Sequence, residues 1–173
     1  MGSGEQISIQ REDFDLAEEY AKLRVKIGNE VGAIISFTGI VREQVFSENT
    51  EERTSSLRLE HYPGMTEESI SNILFEAAQR WDLLGQRVVH RVGDLSPGDQ
   101  IVLVLVASKH RPDAFAACEF VMDFLKTRAI FWKYEGSSKS GTWVSSTDSD
   151  YDRLNSCLLY TSPSPRDQRG SRM

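Results

Sequence analysis

Two lysines, Lys126 and Lys133, stand seven residues apart in MDFLKTRAIFWKYE, among aromatic and aliphatic side chains. An ammonium at the border of a core has two uses. It can rest its stem on apolar surface with the charge in water, or it can face a pocket where an anion binds or reacts, since a desolvated lysine readily exchanges its proton. Upstream, SKHRP places Lys109, His110 and Arg111 directly before Pro112, a residue favoured at the start of a helix. Free backbone N–H groups and the positive dipole end gather there, which suits an anion. Arg42 follows the apolar run AIISFTG, and strand ends often line sites. Each of these cations also reads plainly as solvated surface charge. Residues 109–133 nevertheless hold five Lys or Arg against three Asp or Glu, in a chain of net charge −6.

That acidic total gives no global positive field for nucleic acid, so a local basic cluster carries more information. At 173 residues, with 39% hydrophobic and 27% charged side chains, the chain fits one soluble domain with a real core. No apolar run is long enough to span a membrane, and MGSGEQISIQ lacks the pattern of a secretory signal. A cytoplasmic protein is expected. Cys118 and Cys157 form no CxxC pair, and His61, His90 and His110 form no HxxxH, so metal chemistry is not expected. Cys118 reads as a buried, inert thiol. His61 and His90, within strand patterns, read as structural. Neither a nucleophile elbow nor a P-loop occurs.

The elements that must position these residues alternate. A short strand over 6–9 precedes a helix carrying Leu16, Tyr20, Leu23 and Ile27 at helical spacing, stopped at Gly28-Asn29. VGAIISFTGIVR reads as a buried strand ending near Gly39. EQVFSENTEERTSS, residues 43–56, has no periodicity and reads as a mobile loop. SLRLEHYPG alternates as a half-exposed strand. Thr66 is the expected N-cap of the next helix, with Met65 stapled onto Ile70, and the helix is predicted to run to Gly85. QRVVHRVGD and QIVLVLVASK read as an antiparallel pair joined through Pro97-Gly98. The last helix is predicted from Pro112 to about Lys133. Its apolar stripe would be Phe115, Cys118, Met122, Leu125, Ala129 and Trp132, with Lys126 and Lys133 on one edge about 10 Å apart. GTWV at 141–144 is one more short strand. The order predicts an α+β fold, a two-layer mixed or antiparallel sheet with packed helices. Residues 1–154 form one domain, and 155–173, rich in Ser, Pro and Arg, read as a disordered tail or a non-native extension.

FTGIVR (37–42), LEHYPGM (59–65), HRVGDLSPGD (90–99), SKHR (108–111) and MDFLKTRAIFWK (122–133) occur in this order. Together they closely resemble the large, catalytic subunit family of molybdopterin synthase, over about residues 30–150. The resemblance implies an α+β fold with a hammerhead-like subdomain. It also implies a heterotetramer: a central dimer of large subunits with a small ubiquitin-like sulfur-carrier subunit at each end. The small subunit's C-terminal glycine carries a thiocarboxylate, and its sulfur passes to cyclic pyranopterin monophosphate to build the dithiolene of molybdopterin. By the same resemblance Lys126 is the main catalytic residue and Lys133 assists in proton transfer and substrate binding. Arg42, His110 and Arg111 contact the substrate, with Ile40, Val41, Tyr134 and Glu135 as neighbours. No cofactor is implied, since the partner brings the sulfur, and neither nucleic acid nor membrane is a partner. One departure stands out: Thr147 occupies a place where bacterial relatives often have arginine.

The residues fit that chemistry. A thiocarboxylate and a phosphate are both anions, and bringing them together in a partly dry pocket requires cations. Two other readings use the same residues: a non-catalytic module holding a partner's C-terminal carboxylate, and an enzyme of phosphorylated metabolites needing no protein partner.

Overall fold

The computed structural model describes residues 6–42, 45–47, 50–53, 56–129, 131–136, 141–144 and 152. The tail at 155–173, Thr147 and Cys157 lie outside them.

The centre is a four-stranded mixed sheet in the order β1-β6-β8-β2, built from β1 (Ile7–Gln10), β6 (Leu83–Arg91), β8 (Gln100–Ser108) and β2 (Ala33–Ile40). β1 runs parallel to β6, whereas β6–β8 and β8–β2 are antiparallel. β8 reads QIVLVLVAS because both of its faces are covered. Val102, Val104 and Val106 join the core under α2 (Met65–Arg80) and α3 (Arg111–Thr127). Leu103, Leu105 and Ala107 turn to the other face, where α1 (Leu16–Lys26) lays down Leu23, with Ile27 just beyond it. Gly85 marks the closest approach of α1, since a Cβ there would sit 2.8 Å from Ile27 and 2.9 Å from Leu23.

A second, antiparallel sheet stands at one end of the first, in the order β10-β9-β5-β7. Its strands are β10 (Gly141–Val144), β9 (Phe131–Gly136), β5 (Ser56–His61) and β7 (Gly93–Leu95). Leu57, Leu59, Leu95 and Val41 bury together beneath it, and Ile101 packs against both this cluster and the main core. The α+β class expected from the sequence is the one observed.

Local chemistry explains most boundaries. Asp15 caps α1 by accepting from Ala17 N–H at 2.7 Å and Glu18 N–H at 3.0 Å. Ser96-Pro97-Gly98-Asp99 is a tight turn: Gly98 takes φ +93°, Asp99 N–H donates to Ser96 O, and Ser96 N–H donates to Asp99 Oδ2.

Four expectations need correction. First, α3 ends at Thr127, not near Lys133, and Phe131–Gly136 is a strand. FWKYE is aromatic and alternating, and both β5 and β10 bond to it, so sheet pairing overrides a continued helix. The buried stripe of α3 is accordingly Ala114, Ala117, Cys118, Phe120, Val121, Phe124 and Leu125, while Phe115 is 60% and Trp132 47% exposed. Second, α2 stops at Arg80, and Leu83–Gly85 begin β6. Third, α2 is capped at Gly64 instead of Thr66. Gly64 N–H donates to Glu67 at 2.7 Å, Thr66 is fully buried inside the helix, and Met65 stays half exposed. Fourth, the segment read as a loop contains β3 (Val45–Ser47) and β4 (Thr50–Arg53), paired antiparallel. Strands of three and four residues, VFS and TEER, are too short to show an apolar alternation, so pattern alone does not reveal the ladder.

Candidate active site at one end of the sheet

Ile40, Val41 and Arg42 close β2 at the end where β8 begins, Ile40 standing opposite Gln100. Val41 is held on both sides: its N–H donates to Asp99 O at 2.8 Å, and its carbonyl accepts from Gly98 N–H at 2.8 Å. Its side chain is buried with Leu57, Leu59 and Leu95. The exposed Arg42 therefore leaves the sheet from a rigid root.

α3 starts after the far end of β8 and packs back over β8 and β2, so its last turn returns to the Arg42 end. Lys126 sits in that turn, with its side chain exposed. Thr127 Oγ1 bonds back to Asp123 O at 2.7 Å, and Arg128 N–H closes the helix on Phe124 O at 2.7 Å. After the turn the chain enters β9, anchored by Phe131 stacked on His90 with ring centroids 3.9 Å apart.

Lys133 lies directly opposite Leu59 in β5. Paired residues share a face of a sheet, so half-buried Lys133 shares the inner face with Leu59 and hence with Val41. Tyr134 pairs with Arg58 and belongs to the outer face, where Arg58 holds Asp94 at 2.6 Å. Glu135 is opposite Leu57 in the ladder. One end of the molecule thus gathers Ile40, Val41, Arg42, Lys126 and Lys133.

His110 and Arg111 are elsewhere. They open α3 beside Lys109, which pairs with Glu30 at 3.0 Å, and all three are exposed. The carboxylate of Glu30 pushes the Lys109 ammonium further above its ordinary pKa. Fifteen helical steps separate Arg111 from Lys126, about 22 Å along the axis. Within one chain the two cationic groups do not meet.

Two buried groups have strongly shifted acidities. His90 is held neutral, its pKa pushed down to about 4 by burial, although the Arg91 carbonyl at 2.8 Å favours the proton. Cys118 lies in the core, and burial pushes its thiol up to about 11. It stays protonated and is no sulfur nucleophile. Among the described residues no group of three His, Cys, Asp or Glu could hold a metal, and no helix is long and apolar enough to cross a membrane.

Sequence reasoning missed the positioning groups. Pro97-Gly98-Asp99 was legible as a strand connector, but its backbone clamp on Val41 joins segments far apart in sequence. His90 was legible as structural, but its stacking partner Phe131 had been assigned to a helix. Two surface cavities, of about 460 and 480 Å³, occur among the described residues, and Leu59 is in the lining of the second. The first is lined by Leu23, Val25, Ile27 and Leu84, the second by Arg11, Arg58, His61 and Asp94.

Fold and site together define an α+β protein with exposed cationic residues at opposite ends of one helix. The family model described as "MoaE protein" matches residues 9–128. A molybdopterin synthase catalytic subunit from Vibrio cholerae is 50% identical over 145 residues, covering 84% of this chain and 93% of that one. A protein of the same description from Ralstonia nicotianae is 51% identical over 144 residues, covering 83% and 79%. A solved structure of a molybdopterin biosynthesis MoaE protein from Burkholderia ambifaria superimposes with a TM-score of 0.70 at 44% identity, covering 87% of this chain and 97% of that one. The chain belongs to the MoaE protein family.

Proposed function

We propose that this chain is the catalytic subunit of a molybdopterin synthase, a cytoplasmic sulfurtransferase whose catalytic unit is residues 1–154. It takes sulfur from the thiocarboxylated C-terminal glycine of a small ubiquitin-like subunit and delivers it to cyclic pyranopterin monophosphate, forming the dithiolene of molybdopterin in two rounds. The partner supplies the sulfur, and the chain uses no cofactor or metal of its own. The protonated core thiol of Cys118 fits that division of labour.

The observation that carries this reading is the gathering of Arg42, Lys126 and Lys133 at one end, around the clamped Val41. Arg42 offers a planar, permanently charged fork for an anionic substrate group. Lys126 stands next to the carbonyl of the incoming glycine and balances charge there as sulfur leaves. Lys133, half-buried beside Leu59, passes protons and holds substrate. Ile40 and Val41 form the wall, with Tyr134 and Glu135 as neighbours on the same strand.

His110 and Arg111 also contact substrate in this reading, and a separation of about 22 Å forbids that within one chain. A second copy supplies them, so the central dimer of the heterotetramer is a requirement of the site.

Incubation of the chain with the precursor and a thiocarboxylated small subunit tests the function, with molybdopterin as the readout. Product that disappears in Lys126→Ala while small-subunit binding persists supports catalysis. Binding without turnover in the wild type would instead identify a carboxylate-holding module, and turnover without a small protein would identify a phosphometabolite enzyme.

A further inference from the structure

In the proposed chemistry Lys133 passes protons, so each proton it gives up must be replaced before the second round. The strands around it supply a route. In the β5–β9 ladder Lys133 stands opposite Leu59, and Phe131 opposite His61. Residues two apart on a strand share a face, so His61, Leu59, Phe131 and Lys133 all belong to the inner face. His61 is the diagonal neighbour of Lys133 there, at a spacing of about 7 Å that a ring and a long side chain can bridge. The neighbours are fixed: Phe131 stacks on His90, and His90 is close enough to feel the charge of His61. His61 itself is half-buried and makes no hydrogen bond or ion pair among the described residues.

The other side of His61 meets a cavity. β5 and β7 part beyond the pair Leu59–Gly93: β5 runs on through Glu60 and His61 beside β9, whereas the other chain turns at Val92 into β6. The surface cavity of about 480 Å³ opens in this gap, with His61, Glu60, Val92, Gly93 and Arg11 in its lining. Its charges cancel. Arg58 holds Asp94 at 2.6 Å, which leaves Arg11 and Glu60 with opposite signs. The remaining titratable groups near the ring are Lys133 from β9 and the neutral His90 from β6. His61 thus stands between the face where Lys133 works and a space that water can fill.

Imidazole exchanges protons near neutral pH, and imidazolium is a much stronger acid than an alkylammonium. A proton therefore moves downhill from a His61 imidazolium to a neutral Lys133 amine: an imidazolium N–H bond breaks and an amine N–H bond forms. The neutral ring then takes its next proton from solvent in the cavity. The geometry points to His61 as a proton relay that acts through Lys133 and reloads it from the cavity beside β7, a role that rests on the sulfur transfer proposed above.

Turnover of the chain with precursor and thiocarboxylated small subunit tests this, with molybdopterin as the readout. His61→Ala should lower kcat by about 10²-fold with little change in KM, because His61 meets no substrate. Added imidazole, small enough for the cavity, should restore rate in a saturable way. The wild type and Arg58→Ala, which removes another lining side chain, should not respond. The restored rate should follow the protonated fraction of the added base, so 4-methylimidazole, the stronger base, should sustain it to higher pH. An unchanged kcat in His61→Ala, a loss that imidazole does not restore, or equal restoration by tetramethylammonium, which carries charge but no proton to give, would overturn the relay. If His61→Ala does not fold, NMR of the wild-type ring decides. Lys133→Ala removes a neighbouring positive charge and should shift the His61 titration upward, and ring resonances indifferent to that change would overturn the relay. An inactive wild type would remove the sulfur transfer and the relay with it, whereas an active wild type with an unaffected His61→Ala would remove the relay alone.

Discussion

At its C-terminal end α3 delivers Lys126 to a place already built. Val41 is clamped by the Pro97-Gly98 turn, His90 anchors the strand that carries Lys133, and a second sheet supplies the inner face. At its N-terminal end the same helix shows His110 and Arg111 to solvent, next to a lysine paired with a surface glutamate. Both ends are cationic, yet only one is surrounded by devices that fix its geometry. A charge becomes a catalytic group when rigid neighbours hold it where charge changes. In the proposed function the bare end gains such neighbours from a second copy.

The largest effect should come from the built end. Lys126→Ala should lower molybdopterin formation by about 10³-fold. Because the side chain is exposed, chemical denaturation should move by no more than about 0.5 kcal/mol. Joint replacement of His110 and Arg111 by alanine should cost about 10²-fold in the same assay, mainly through weaker substrate binding. Equal stability of that variant would confirm that the N-terminal end carries no structural duty.

Acid should weaken the built end first. His90 is neutral in the fold, with a pKa of about 4, and titrates near 6.5 when unfolded. As pH falls the unfolded chain takes up the proton first. Stability is therefore complete above about 6.5, declines by about 3 kcal/mol toward pH 4, and levels off below it. Urea midpoints across that range measure this, and His90→Gln should flatten the slope. Glu19 adds a separate loss at lower pH. Burial opposes its charge, but hydrogen bonds from Arg87 and Lys22 prevail and hold its carboxyl below the usual value, so its contribution disappears only as those bonds are protonated away. The smallest effect should come from the outer face: Arg58→Ala removes the exposed pair with Asp94 and should leave both turnover and Tm where they were.

Much of this comparison was legible in the sequence, and the parts that were not share a cause. The strand pattern of β8 and the Pro97-Gly98 turn are local signals, and they read correctly. The cations were found because lysine, histidine and arginine stand out in an acidic chain. Their arrangement was not legible. The apolar residues of FWKYE continue the helical stripe of α3, and only pairing with β5, some seventy residues earlier, makes it a strand. The pattern therefore places Lys133 on the helix, and nothing in it reveals that α3 holds His110 and Lys126 apart. Distance between groups on one helix is simple arithmetic once its ends are known, but the ends were set by tertiary contacts.

The most direct measurement mixes two inactive chains. Lys126→Ala and the His110→Ala/Arg111→Ala double variant should be unfolded together, refolded as mixed dimers and assayed for molybdopterin with precursor and thiocarboxylated small subunit. A site shared between copies predicts recovery to about one quarter of wild-type activity, because half the dimers are mixed and each holds one intact centre. Activity that stays at the mean of the two separate variants, with mixed dimers demonstrated, would contradict the account.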